Sequence, residues 1–232
     1  MLTRSLSEED VVDALRGVLD PELDESVVDL GFVDRVEVDG DSVEIGLRLP
    51  TFWCAPNFAY LMAYDARHAA LGVPGVRGAR VVLRDHMYAD EITSGVSCGE
   101  SFDRVFDCQA ADGELEDLRR LFAGKAFGMR QEQLVRFLLE AGLTAEDVVS
   151  LQIGDALPRG AAPLLEAYLC RRNRVGLQHT EMLVTTLEGQ PIPADELEEY
   201  LQRARRQRVS MTFNALMCRG LLETRYGVES NP

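Results

Sequence analysis

The chain has no pair of cysteines at C-x-x-C spacing: its five cysteines, Cys54, Cys98, Cys108, Cys170 and Cys218, are odd in number and lie far apart. That pattern excludes a disulfide framework and a self-contained zinc or cluster-binding motif. A metal held through cysteine would need further ligands from distant segments, a second subunit, a small thiol or a partner protein. Basic charge is also scarce, with 24 Lys and Arg against 39 Asp and Glu and a formal net charge of -15. Such a balance opposes phosphate backbones and anionic lipid, so neither nucleic acid nor membrane is an expected partner. No stretch approaches the roughly 18 consecutive apolar residues that span a bilayer, and the opening "MLTRSLSEEDVVDAL" has no apolar signal-like region. A cytoplasmic location is the expectation. There is no Gly-rich phosphate loop, no nucleophile elbow and no H-E-x-x-H.

What is present is ordinary globular material, 46% hydrophobic and 27% charged over 232 residues, enough for two domains. From Ser7, "SEEDVVDALRGVLD" puts Val11, Val12, Leu15, Val18 and Leu19 on one helical face, with Ser7 as N-cap and a stop at Asp20-Pro21. "VDRVEVDGDSVEIGLRL" alternates with period two on both sides of Asp39-Gly40 and predicts a β-hairpin. Pro56 opens a second helix, and "ARVVLR" at 79–84 reads as a third strand. The expected fold is α+β: an αββαβ module with a small mixed sheet over 1–90, a linker over 91–113, and a mainly helical domain over 114–232. In the latter, helices are expected from Glu114, Arg130, Ala161, Asp195 and Met211, with "TEMLVTTLEG" as a strand. The basic runs "RRNR" and "RARRQR" read as solvated helix faces.

Within the first module, "PTFWCAPN" sets Cys54 at a strand-to-helix corner. A helix N-terminus offers free N–H groups that favour the thiolate, the nucleophilic and metal-binding form of cysteine. Cys54 is therefore the expected reactive thiol, whereas Cys170 and Cys218 lie in helical stretches and read as core packing. "DPELDESVVDLGFV" supplies the carboxylates Asp20 and Glu22, either as caps of a structured turn or as oxygen ligands and hydrogen-bond partners beside Cys54. His86 follows the third strand and is a low-ranked candidate metal ligand or base for Cys54. His68 and His179 carry no comparable signal.

Taken together, Asp20-Pro21-Glu22, Leu30-Gly31, the hairpin, and Thr51 three residues before Cys54 resemble the small assembly domain of the SufT and PaaD proteins and of the eukaryotic cytosolic iron-sulfur targeting complex. The resemblance covers roughly residues 7–90. In one departure Ala55 separates the cysteine from Pro56, where the family has proline directly, which shifts the helix start by one residue. The resemblance implies a role in iron-sulfur cluster assembly, or in iron delivery to a client metalloenzyme, rather than substrate turnover. It implies Cys54 as the functional thiol with Asp20, Glu22 and Thr51 in support, transient iron-sulfur cluster or iron as cargo, and other assembly proteins as further partners. The C-terminal half is similar to the extensions of actinobacterial members associated with soluble di-iron monooxygenases. Since one cysteine cannot satisfy a typical cluster, a bridging site is expected, with a homodimer as one way to form it. The alternative is a protein-interaction adaptor for oxygenase assembly in which Cys54 is structural. A thiol enzyme is disfavoured because no histidine is placed by motif to activate Cys54.

Overall fold

The computed structural model describes residues 6–106 and 114–227. Cys108 and Asp112 lie outside the described residues. Two compact units emerge, and they are not sequential halves: the first is Met1–Leu115 with Thr212–Pro232, the second Glu116–Met211.

The first unit opens with helix α1 (Glu8–Leu15), where Ser7 and Asp10 form a capping box. A short antiparallel pair follows, β1 (Leu19–Asp20) with β2 (Glu25–Ser26), and then the hairpin of β3 (Val33–Asp39) and β4 (Ser42–Arg48). Gly40 closes that hairpin at φ 63°, a left-handed conformation that glycine adopts without steric cost. Helix α2 (Pro56–Leu71) crosses over to β5 (Gly78–Arg84), which pairs with β4 in parallel, Ile45 opposite Val81. A parallel neighbour requires such a crossover. The sheet order is therefore β3-β4-β5, mixed as expected.

Alternation in β4 sends Val43, Ile45 and Leu47 into the core, where Val81 and Leu83 of β5 join them. α2 meets them with Ala59, Met62, Ala63, Ala66 and Ala70, all buried. Small side chains on that face let the helix approach the sheet closely.

The described part of the expected linker, 91–106, is largely helical. Helix α3 (Ala89–Cys98) and helix α4 (Phe102–Phe106) occupy most of 91–106. Ile92 and Val96 of α3 are one turn apart and buried, a two-residue apolar stripe too short to stand out among the glycine, serine and acidic residues around it.

In the second unit, the helices expected from Glu114 and Arg130 are one, α5 (Glu114–Glu140), followed by α6 (Ala145–Ser150), α7 (Ala162–Arg174) and α8 (Leu197–Tyr226). The two helices expected after Asp195 are likewise continuous in α8, whose last residues, from Thr212, belong to the first unit. The expected strand around 181–190 is reduced to isolated bridges, Gln152 with Met182 and Thr185 with Pro191. Its backbone is served instead by side chains: Gln131 accepts from the Thr185 amide at 3.1 Å and donates to the Thr185 carbonyl at 2.8 Å. Arg172 is not solvated but fully buried, donating to Tyr168 Oη at 3.0 Å and to the Thr180 carbonyl at 2.7 Å. Arg208 of the other basic run reaches the buried Glu132 at 2.7 Å.

Candidate functional site

The chain leaves β4 at Arg48 and turns through Leu49–Ala55 before α2 begins at Pro56. Ala55 is the N-cap and Pro56 the first helical residue, so Cys54 stands two residues before the helix. Proline in the first helical position costs no hydrogen bond, because that amide would have no intrahelical partner. Cys54 is half-buried, and its Sγ lies 3.2 Å from Thr51 Oγ1. The motif spacing is thus a contact in space. Phe52 and Trp53 project outward, 48% and 73% exposed, and leave an aromatic rim beside the thiol.

His86 fixes this corner from beneath. Asp85 adopts φ 51°, a left-handed step that aspartate tolerates better than most residues, and the chain doubles back so that His86 is buried. The Tyr88 amide donates to His86 Nδ1 at 3.2 Å, which leaves Nε2 to carry the proton and donate to the Cys54 carbonyl at 2.7 Å. Both ring nitrogens are engaged with backbone, so His86 acts in this conformation as a brace, not as the metal ligand or base considered from sequence.

The Asp20–Ser26 turn carries the candidate carboxylates. Asp20 is buried, and its Oδ1 accepts from the Glu22 and Leu23 amides at 2.8 and 2.9 Å. The turn-capping role weighed from sequence therefore holds for Asp20. Burial, together with the nearby Glu22 and Glu25 carboxylates, pushes its carboxyl up to about 6 against two opposing backbone hydrogen bonds. Asp24 closes the turn at φ 56°.

The end of α8 contributes what sequence reasoning missed. Asn214 Nδ2 donates to Glu22 Oε1 at 3.4 Å, and Arg219 pairs with Glu25. Further along, Arg225 donates to the Leu49 carbonyl at 3.1 Å and to the Asp85 carbonyl at 2.7 Å. Leu222 is buried against the loop before β3, its Cδ2 only 3.1 Å from where a Cβ on Gly31 would stand. Gly31 itself has φ 75°, so the Leu-Gly step satisfies a backbone demand and a close approach at once.

Cys218 lies in this segment and packs against the same apolar cluster as Cys54. Burial pushes its thiol up to about 12, with Asp20, Cys54 and Glu22 adding to the effect and Arg219 opposing it. It is thus a core-facing residue, as expected, but one within electrostatic reach of the corner. Cys170, read as core, is exposed instead: Tyr168 and Arg172 take the buried face of α7, and residue 170 falls on the other side. Cys98 is exposed at the end of α3. Among the described residues no three His, Cys, Asp or Glu side chains converge as a metal site. These side chains do not by themselves close a metal centre.

The chain is similar to known proteins over the same span. A family model described as iron-sulfur cluster assembly protein matches residues 8–82. An uncharacterized protein of Methanocaldococcus jannaschii is 33% identical over 88 residues, which cover 38% of this chain and 90% of that protein. An iron-sulfur cluster carrier protein of Deinococcus radiodurans is 38% identical over 68 residues, 29% of this chain but 19% of the carrier's length. The matched span contains the Asp20 turn, the Leu30-Gly31 step, the hairpin, Thr51 and Cys54, and by it the chain belongs to the iron-sulfur cluster assembly protein family.

Proposed function

We propose that the protein is a maturation factor that passes an iron-sulfur cluster or iron to a client metalloenzyme through Cys54, and that it binds and hands over cargo without catalysing turnover of a substrate. The observation that carries this reading is the Thr51–Cys54 contact at 3.2 Å, set at a helix entrance within the family-matched span. Thr51 orients the thiol, His86 holds the Cys54 carbonyl, and the half-buried sulfur remains approachable from the side of the Phe52–Trp53 rim. A carrier needs a site that releases as well as binds, and a corner with few ligands of its own suits transient possession. The client to test first is a di-iron monooxygenase component, on the similarity of the C-terminal half to extensions found beside such enzymes.

The test is anaerobic loading with iron and sulfide, followed by transfer to an apo acceptor and iron analysis of both proteins. Cys54→Ser is expected to cut transfer by about tenfold or more, a loss at least as large as disturbing the support of a metal ligand produces. Full transfer by the Cys54→Ser protein would sink the reading and leave an adaptor role, in which the protein binds the client while handling no metal.

A further inference from the structure

Between Asn214 at the Asp20–Ser26 turn and Arg225 at the Leu49 and Asp85 carbonyls, the end of α8 carries a half-buried cysteine, Cys218. Asn214, Cys218, Leu222 and Arg225 are spaced four, four and three residues apart and so share one face of the helix. Three of them touch the first module: Asn214 at Glu22, Leu222 beside Gly31, and Arg225 at the Leu49 and Asp85 carbonyls. The fourth, Cys218, is held among them and packs against the cluster that Cys54 also contacts. The opposite face of the helix is turned to solvent, with Phe213, Leu216 and Met217 exposed. Contacts on both sides therefore hold Cys218 against the module that carries Cys54.

We infer that Cys218 is the second thiol of the Cys54 site, so that this chain offers a soft metal ion or a cluster edge two sulfur ligands rather than one. The inference rests on the carrier reading above and deepens it. On binding, each thiol releases its proton to solvent as its sulfur bonds the metal, and no oxidant or reductant is consumed. Two thiolates leave further coordination positions open for the donor or acceptor, as transfer requires. The family-matched span ends at residue 82, so the second ligand comes from outside it, supplied by the chain's own later helix.

The full-length protein with Cys98, Cys108 and Cys170 replaced by serine retains Cys54 and Cys218, and reduced anaerobic titration with cadmium(II) reads the outcome. Thiolate-to-cadmium charge-transfer absorption grows with the number of thiolates per metal. Two thiolates per cadmium are expected, with the absorption about halved and the affinity reduced roughly 10–100-fold or more when Cys218→Ser is added. An absorption and affinity unchanged by Cys218→Ser would overturn the inference. Should that variant fail to fold, the unmutated protein decides by mass-mapped alkylation, run long enough for both thiols to react without metal. Cadmium must then protect Cys54 and Cys218 together, and protection of Cys54 alone would refute the pairing. The two readings fail separately. Transfer lost in Cys54→Ser but intact in Cys218→Ser removes the second thiol and keeps the carrier, whereas transfer intact in Cys54→Ser removes the carrier itself.

Discussion

His86 Nε2 donates to the carbonyl of Cys54 at 2.7 Å while its Nδ1 accepts from Tyr88, so one buried imidazole ties the residue after β5 to the peptide that presents the thiol. His86→Ala should leave a carbonyl without its donor and cost about 1–3 kcal/mol in urea unfolding. The same variant should also change the rate at which Cys54 is alkylated. If stability and alkylation are both unaltered, the imidazole is not bracing the corner.

Asp20 makes stability depend on pH in a defined direction. Its carboxyl is raised from 3.8 to about 6 in the folded protein, chiefly by burial, so the folded state favours the protonated form. The stabilisation this gives is complete below about 3.8 and is lost as pH rises through about 6. Asp20→Asn keeps an oxygen acceptor for the Glu22 and Leu23 amides but cannot ionise. Relative to wild type it should gain stability between these pH values, by on the order of 3 kcal/mol at pH 7. A constant difference between the two proteins across pH 3–8, measured by denaturant midpoints, would show that Asp20 does not titrate as described.

Gly31 should tolerate no side chain. At φ 75° an alanine costs about 1–2 kcal/mol in backbone terms alone, and its Cβ would crowd Leu222 Cδ2 at 3.1 Å. Gly31→Ala is expected to destabilise by that amount or more in thermal unfolding. Leu222→Ala alone should cost about 2–5 kcal/mol as a buried deletion. The double variant should lose less than the sum, because the crowding is gone.

Thiol reactivity should rank by access and ionisation. Cys98 and Cys170 are exposed, and Cys218 is pushed up from 9.0 to about 12, chiefly by burial. At neutral pH Cys218 should present roughly a thousandfold less thiolate than an ordinary cysteine and be alkylated last. Mass mapping of the native protein over time checks this. Early modification of Cys218 would mean that the α8 end does not stay against the first module.

Much of the site was readable in the sequence because its parts are local or carry their own turn chemistry. Thr51 and Cys54 are three residues apart, Pro56 announces its helix, and Asp20 caps amides two and three positions ahead. The hairpin followed from period-two alternation. What stayed hidden depends on separation along the chain. The contact between Asn214 and Glu22 spans 192 positions, and no periodicity in either segment implies it. Similarly, Arg172 looks solvated in a basic run, and its burial depends on Tyr168 Oη and on the carbonyls of Thr180 and Leu183.

A module that is finished by residues 212–227 is also finished late in time. At about 5–20 residues per second, a ribosome that has made the strands and Cys54 needs roughly 5–20 s more to make the intervening second unit before the end of α8 follows. During that interval Gly31 lacks the packing of Leu222, and the Leu49 and Asp85 carbonyls lack Arg225. A molecule cut short anywhere before Thr212 carries the whole family motif yet never acquires the contacts at Glu22, Gly31, Leu49 and Asp85. The fold thus ties completion of the first unit to completion of α8, so that only a chain synthesised past Arg225 makes all of these contacts.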